Sequence, residues 1–420
     1  MNKLTLVLLI LAGEAVFFLP FVLARVFRPT VLEVLDINNF QLGTAFSVYG
    51  VIAMCSYFLG GPLADRYAPR NLMSLALVLT GIGGIYLASY PTMSGLRWLY
   101  GFWGASTILL FWAALIRATR EYGGLSGQGR AFGWLDGGRG LVAAMSGSAA
   151  VIIYDWFAPE IADSVSSSVK QEAFRQVIYF YAVVTSLIGI AVFFLYPKHY
   201  SSKGTYTVQN FEWTKIRQLI QLPTLWLQAI IIVCAYVGYK STDDFSLYAR
   251  EVLGYSDAGA ARIGTLALYM RPIVAIGIGW LGDLWRPGKA LCLAFIFMMF
   301  GSLALAVFDF SGATVLPFFI SVISMTIGIY GLRALYFAVM NENGIPLSLT
   351  GTAVGLVSLI GYTPDIFWGP VMGYLLDSEP GIEGHQRLFW VLSIFAFIGW
   401  LCSILLNKIR SATCTEKVDG

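Results

Sequence analysis

Gly61-Pro62-Leu63-Ala64-Asp65-Arg66-Tyr67-Ala68-Pro69-Arg70 and Gly279-Trp280-Leu281-Gly282-Asp283-Leu284-Trp285-Arg286-Pro287-Gly288-Lys289 read as one polar turn written twice. Each puts Gly, Leu, a small residue and Asp in the same order, with basic residues after, and each stands between two apolar runs. The opening glycines, Gly61 and Gly279, lie 218 positions apart in a chain of 420 residues. The chain therefore reads as two similar halves joined end to end. A second echo agrees. Gly129-Arg130-Ala131-Phe132-Gly133 and Gly351-Thr352-Ala353-Val354-Gly355 open apolar runs at matching places. Small residues at i, i+2 and i+4 permit close helix contact.

Hydrophobic residues make up 57% of the chain and charged residues 12%, against about 25% charged in a soluble domain. So little charge cannot cover a water-facing surface, and the solvent must be largely lipid. Apolar runs fall at roughly 4–26, 42–62, 71–91, 96–118, 130–154, 174–196, 224–246, 257–281, 288–309, 313–338, 350–376 and 386–408. Each meets the ~20 residues a spanning helix needs. They are too long and continuous for barrel strands, so the expected fold is all-α with twelve transmembrane helices in two pseudo-symmetric six-helix bundles. The first run is too long for a signal peptide, carries Glu14 and lacks a small-x-small cleavage site.

The net charge of +3 is small and its basic residues are scattered, which gives no case for a nucleic-acid partner. Cys55, Cys234, Cys292, Cys402 and Cys414 are far apart and form no CxxC, so they read as packing residues. His199 and His385 make no metal-ligand spacing, and no Walker-A loop or GxSxG elbow is present. These absences speak against a cofactor, a metal site and an enzyme.

An even number of spans puts both ends on one side. Lys and Arg crowd the loops at Arg66 and Arg70, Arg117 to Arg130, Lys198 to Arg217, Arg286 and Lys289, and the tail with Lys408 and Arg410. Acids mark the alternate loops, at Asp155, Glu160 and Asp163 and at Asp377, Glu379 and Glu383. The positive-inside rule then predicts cytoplasmic termini in an inner (plasma) membrane. The expected division is a bundle at 1–196, a cytoplasmic linker at 197–223, a bundle at 224–408 and a tail at 409–420.

The repeated loops resemble the signature loop of the major facilitator superfamily. Arg97-Trp98-Leu99-Tyr100-Gly101 resembles that family's Arg-x-x-x-Gly motif at the start of helix 4. The nearest branch in feel is the organic-anion and organophosphate one, on Gly61 to Arg70, Tyr248 to Val252 and Gly351 to Tyr362. That branch uses an arginine on helix 1 and another on helix 7. Here Arg25 and Arg28 lie near the outer end of helix 1, helix 7 offers Lys240, and neither falls in register. The resemblance implies alternating access, with the repeated loop (Asp65, Arg66, Arg70 and Asp283) holding the halves together in one state. A proton is the expected coupling ion.

Ionisable groups at mid-bilayer cost at least ~2.5 kcal/mol each and are functional candidates by default. At ~1.5 Å per residue, Glu14, Asp136, Arg139 and Arg271 reach a common middle layer. Asp136 and Arg139 stand at i,i+3 and either neutralise each other or meet a substrate. Arg271 needs a partner from another helix, water or a solute. Glu14 is either the structural partner of Arg139 or Arg271, or a proton carrier. Arg333, with Tyr330 and Tyr336 a turn either side, binds substrate or seals a gate. Asp365, after Pro364, and Arg97 read as gate or coupling residues. Tyr236, Tyr239, Tyr269 and Trp112 either stack on a ring or simply pack. The excess of arginine favours an anionic small-molecule solute, since the guanidinium fork suits carboxylate or phosphate. The expectation is a monomeric, proton-coupled secondary transporter of such a solute. The alternatives are a multidrug or siderophore exporter of the same fold, and a non-transporting membrane sensor.

Overall fold

A computed structural model describes residues 3–123, 128–158, 166–197, 217, 219–284, 286–310, 315–337, 339 and 350–416. Among the described residues the secondary structure is helical, without strands. In lipid this follows from the need of every backbone N–H and C=O for a partner within its own segment.

The first passage is broken. Helix α1 (Lys3–Ala15) is followed by a π-helical turn, Phe18–Val22, and a short α2 (Leu23–Val26), and the two arms meet at 41°. Pro20 lies inside the π turn and has no N–H to donate, which accounts for the break. Helix α3 (Arg28–Leu35) ends at Asp36, whose left-handed backbone (φ 52°) closes it. Helix α4 (Asn39–Arg66) opens with a reciprocal capping box: Gln41 N–H donates to Asn38 Oδ1 at 2.8 Å, and Asn38 N–H donates to Gln41 Oε1 at 3.0 Å.

The repeated turn proves to be a two-residue affair. Tyr67 and Ala68 separate α4 from α5 (Pro69–Leu87), because Pro69 sits at the first helical position with its φ already set. The second copy does the same, Pro287 opening its helix after Arg286. The residues before the two prolines share one conformation, φ −64° and ψ 131° at Ala68 and φ −60° and ψ 132° at Arg286. At the residue before the proline, the repeat read from the letters is also a repeat of the backbone.

Helix α6 (Met93–Gly104), a second π segment (Ala105–Trp112) and α7 (Ala113–Gly123) form one passage. Then come α8 (Gln128–Phe157), α9 (Ser167–Leu195), α10 (Pro223–Ser241), a 3-10 turn (Thr242–Asp244) and α11 (Phe245–Glu251). The last six are α12 (Asp257–Leu284), α13 (Pro287–Val307), α14 (Val315–Leu335), α15 (Thr350–Gly361), α16 (Pro364–Ser378) and α17 (Ile382–Glu416). Among the described residues nine passages are long and apolar enough to cross a membrane, and the bent first pair makes ten. Helix α12, which carries Arg262 and Arg271, and the shorter helices α15 and α16 fall on the two remaining apolar runs, 257–281 and 350–376. Helix α17 runs on beyond 408, where the sequence suggested only a tail.

Contacts gather the chain into two compact units. One holds residues 1–204 with 243–272 and 365–381, the other 205–242 with 273–364 and 382–420. In the first, α4 and α16 pack so closely that a Cβ at Gly43 would lie 2.2 Å from the Gly369 carbonyl oxygen, and one at Gly50 2.5 Å from that of Asp365. In the second, Gly301 and Gly328 bring α13 and α14 together in the same way. Phe58, Leu59, Trp98, Phe194 and Leu316 stand exposed on the outside, where a bilayer rather than water covers them.

Candidate functional site

Four of the predicted mid-bilayer charges meet in the first unit. Glu14 lies in the last turn of α1, Asp136 and Arg139 on α8, and Arg271 on α12. Glu14, Arg139 and Arg271 are 4%, 8% and 3% exposed, while the side chain of Asp136 keeps 43% of its surface open. One oxygen of Glu14, Oε2, accepts from Arg139 Nε at 3.1 Å and lies 3.5 Å from Arg271 Nη1. Arg271 Nη2 donates to Asp136 Oδ1 at 2.6 Å. The cluster is two cations and two anions. Removing one of its buried members costs about 3–5 kcal/mol.

The neighbours make room for these charges. A Cβ at Gly13 would press on Arg139 Cδ at 3.1 Å, and one at Gly140 on Arg271 Cδ at 3.0 Å. The Arg139 guanidinium stands 5.6 Å from the ring centres of both Phe17 and Trp112. Phe17 immediately precedes the first π turn and Trp112 ends the second. Both helix irregularities therefore border the same guanidinium, each aiming an aromatic face at it. Asp136 and Arg139 do not neutralise each other, as the i,i+3 reading allowed. Each is drawn to a partner on another helix, so the ions tie α8 to α1 and α12.

A second charged cluster of the first unit was not foreseen. Arg25 and Asp243, 3% and 1% exposed, pair at 2.5 Å between Nε and Oδ1. They are 218 residues apart, the spacing of the two repeated turns, so the pair joins equivalent positions of the repeat. Arg28, fully buried, donates from Nε to Asn39 Oδ1 at 2.9 Å, and Asn39 Nδ2 donates to Asp377 Oδ1 at 3.0 Å. Asp377 also accepts from the backbone N–H groups of Asn39 (3.1 Å) and Phe40 (2.7 Å), so a residue read as a loop acid caps α4. The signal was present: the run 224–246 carried Asp243 and Asp244 inside its bounds.

In the second unit Arg333, in the last turn of α14, lies 3.8 Å from the ring centre of Tyr239 and 5.8 Å from that of Tyr236. Tyr236 meets Tyr362 edge-on at 5.0 Å, and the hydroxyls of Tyr336 and Tyr362 are 3.4 Å apart. The sequence named Tyr330 and Tyr336 as the flanks of Arg333, but its nearest rings come from α10.

The expected gate residues are dispersed. Arg66 is exposed, 5.9 Å from the ring of its neighbour Tyr67, and Arg70 lies 4.9 Å from the ring of Phe193. Arg97 is exposed and reaches Thr44 Oγ1 at 3.4 Å. Asp365 stands in the first turn of α16, beside Gly50. The side chains of Asp65 and Asp283 lie outside the described residues. Among the described residues no group of three His, Cys, Asp or Glu could hold a metal.

The sequence profile of the Major Facilitator Superfamily matches residues 9–368. The chain belongs to that superfamily. It is 28% identical over 414 residues to inner membrane protein YihN of Escherichia coli (strain K12), covering 96% of this chain and 94% of that protein. It is 21% identical over 402 residues to the glycerol-3-phosphate transporter of Haemophilus influenzae, covering 80% and 77%. Among solved structures, that of a D-xylose-proton symporter superposes with a TM-score of 0.72 at 14% identity, covering 97% of each chain. A likeness that distant carries the fold alone. This facilitator is a membrane transporter, not an enzyme.

Proposed function

We propose that this facilitator is a proton-coupled secondary transporter carrying a small anionic organic solute across the inner membrane by alternating access. The halves 1–196 and 224–408, joined by the linker 197–223, are its moving bodies, and both termini are cytoplasmic. The observation behind the proposal is that one buried carboxylate, Glu14, occupies the donors of two buried arginines. A proton arriving on Glu14 removes that claim, and an anionic solute takes the released guanidinium groups of Arg139 and Arg271. One proton and one monovalent anion leave the cluster neutral, as they found it. Asp136, the exposed member, accepts the proton from water. Phe17 and Trp112 give the solute an apolar wall.

In the second unit, taken by itself, Arg333 and Tyr236 are solute-binding residues. The repeated turn, with Asp65, Arg66, Arg70 and Asp283, and the residues Asp365 and Arg97 serve the change of state. The glycerol-3-phosphate transporter is a relative whose name gives an anionic solute, which lends support from outside the chain. The working form is a monomer.

The test is a thermal-shift screen of the purified protein at two pH values against sugar phosphates, carboxylates, amino acids and metal chelates. The proposal expects anions to stabilise, more strongly at the lower pH, with the shift lost in Arg139→Ala or Arg271→Ala. Stabilisation by neutral sugars alone, or by anions regardless of either arginine, would overturn it.

A further inference from the structure

A groove of about 370 Å³ runs between α8 and α12 within the first unit. Its floor is polar: Ser148 Oγ and the Tyr269 hydroxyl are 3.0 Å apart. Its rim is an ion pair, with Arg262 Nη2 donating to Asp155 Oδ2 at 2.5 Å. The other oxygen of that carboxylate, Oδ1, is buried and has no hydrogen-bond partner among the described residues. An ionised carboxylate can accept about four hydrogen bonds, so this carboxylate keeps acceptor capacity that the described residues do not fill.

The walls and the helix face beside them show which solvent the groove meets. Ile152 of α8, 64% exposed, and Leu266 of α12, 47% exposed, line the groove. Leu141 and Met145, 46% and 59% exposed, stand eleven and seven residues before Ile152, on the same face of α8. In a membrane protein such a stripe is covered by acyl chains, so the groove opens into lipid. The ion pair sits at head-group depth. At ~1.5 Å per residue, Asp155 is about 3 Å from the end of α8 and Arg262 about 8 Å from the start of α12. Trp156, 81% exposed, stands beside Asp155, as interfacial tryptophans do.

We propose that this groove is a binding site for one phospholipid with an ethanolamine head group. Its phosphate lies on Arg262, its ammonium donates to Asp155 Oδ1, and an acyl chain lies along Ile152 and Leu266. The chemistry separates this lipid from its neighbours in the bilayer. A choline head carries the same charge but has no N–H to give Oδ1. A glycerol head carries the phosphate but no cation for Asp155. The site is independent of the transported solute.

The test titrates delipidated, full-length protein in detergent with phosphatidylethanolamine, phosphatidylcholine and phosphatidylglycerol, and counts bound lipid by native mass spectrometry. One lipid should be retained, the ethanolamine form about tenfold more strongly than the choline form, as expected for a hydrogen bond to a charged oxygen. Asp155→Asn should remove that preference, and Arg262→Gln should weaken all three lipids. Ile152→Trp fills the groove from the lipid side without touching a charge or the core, and should expel the lipid while gel filtration shows the folded protein. Equal retention of ethanolamine and choline lipids by the native protein, a preference for the glycerol head, or an undiminished adduct in Ile152→Trp would each overturn the proposal.

Discussion

Replacing Glu14 with glutamine is expected to be far more damaging than replacing Asp136 with asparagine, although both belong to one cluster. The Glu14 carboxylate faces two guanidinium groups, at 3.1 and 3.5 Å. At an effective dielectric constant near 20 each attraction is about 5 kcal/mol before desolvation is counted. Desolvation cancels much of that in the intact cluster, but Glu14→Gln takes the carboxylate from Arg139, 8% exposed, and one of two carboxylates from Arg271, 3% exposed. The expected loss is about 3–5 kcal/mol. Asp136 makes a shorter contact, 2.6 Å, yet its side chain is 43% exposed, so water takes over much of its role. Its loss should cost about 1 kcal/mol or less. Reversible unfolding in mixed micelles, followed by circular dichroism, reads both. The double variant Glu14→Gln/Arg139→Gln should be less destabilised than the sum of its parts, by about 0.5–3 kcal/mol. Equal losses in the two single variants, or strict additivity in the double, would refute the reasoning.

Further outcomes are expected. Gly43→Ala drives a methyl into the Gly369 carbonyl, 2.2 Å away, and should cost about 1–3 kcal/mol, visible as a lowered unfolding midpoint. Asp65→Asn should abolish flux in proteoliposomes while leaving the amount of folded protein unchanged; wild-type flux would dismiss the role given to the repeated turn. Tyr90, outside the spanning helices, donates to the Gln171 carbonyl, and burial pushes its hydroxyl up to about 12. A raised value means its contribution is whole below pH 10 and is lost as pH climbs through about 12. The stability difference between the native protein and Tyr90→Phe should therefore shrink over that window and stay flat below it. Arg333→Lys, which removes the flat group stacked 3.8 Å over Tyr239, should weaken solute binding without unfolding the second unit, measured by thermal shift with and without solute.

Much of this was legible in the letters, for reasons that can be named. The repeated turn was legible because Gly, Leu, a small residue and Asp recur in one order at a fixed spacing; that Pro69 and Pro287 each start the next helix is a local constraint the structure adds. The layer holding Glu14, Asp136, Arg139 and Arg271 was legible because helical rise converts position into depth. Their pairing was not. Which arginine Glu14 takes depends on how α1, α8 and α12 lie against one another, a tertiary fact that the i,i+3 spacing of Asp136 and Arg139 disguised. Asp243 and Asp244 were passed over because acids at the end of an apolar run look like the start of a loop. The break at Pro20 and the long π segment ending at Trp112 were hidden by hydropathy, which reads straight and irregular helices alike. The glycines at 43, 50, 301 and 328, which reading the sequence could only count as plentiful, prove to be where one backbone touches the next.

The most direct test of the central claim measures protons and solute together. Proteoliposomes loaded with a pH-sensitive dye receive a solute found by the thermal-shift screen, with no membrane potential imposed. The account predicts that entry of the anion acidifies the lumen through the native protein. Through Glu14→Gln it predicts solute-for-solute exchange with no movement of protons. Acidification undiminished in Glu14→Gln would contradict it.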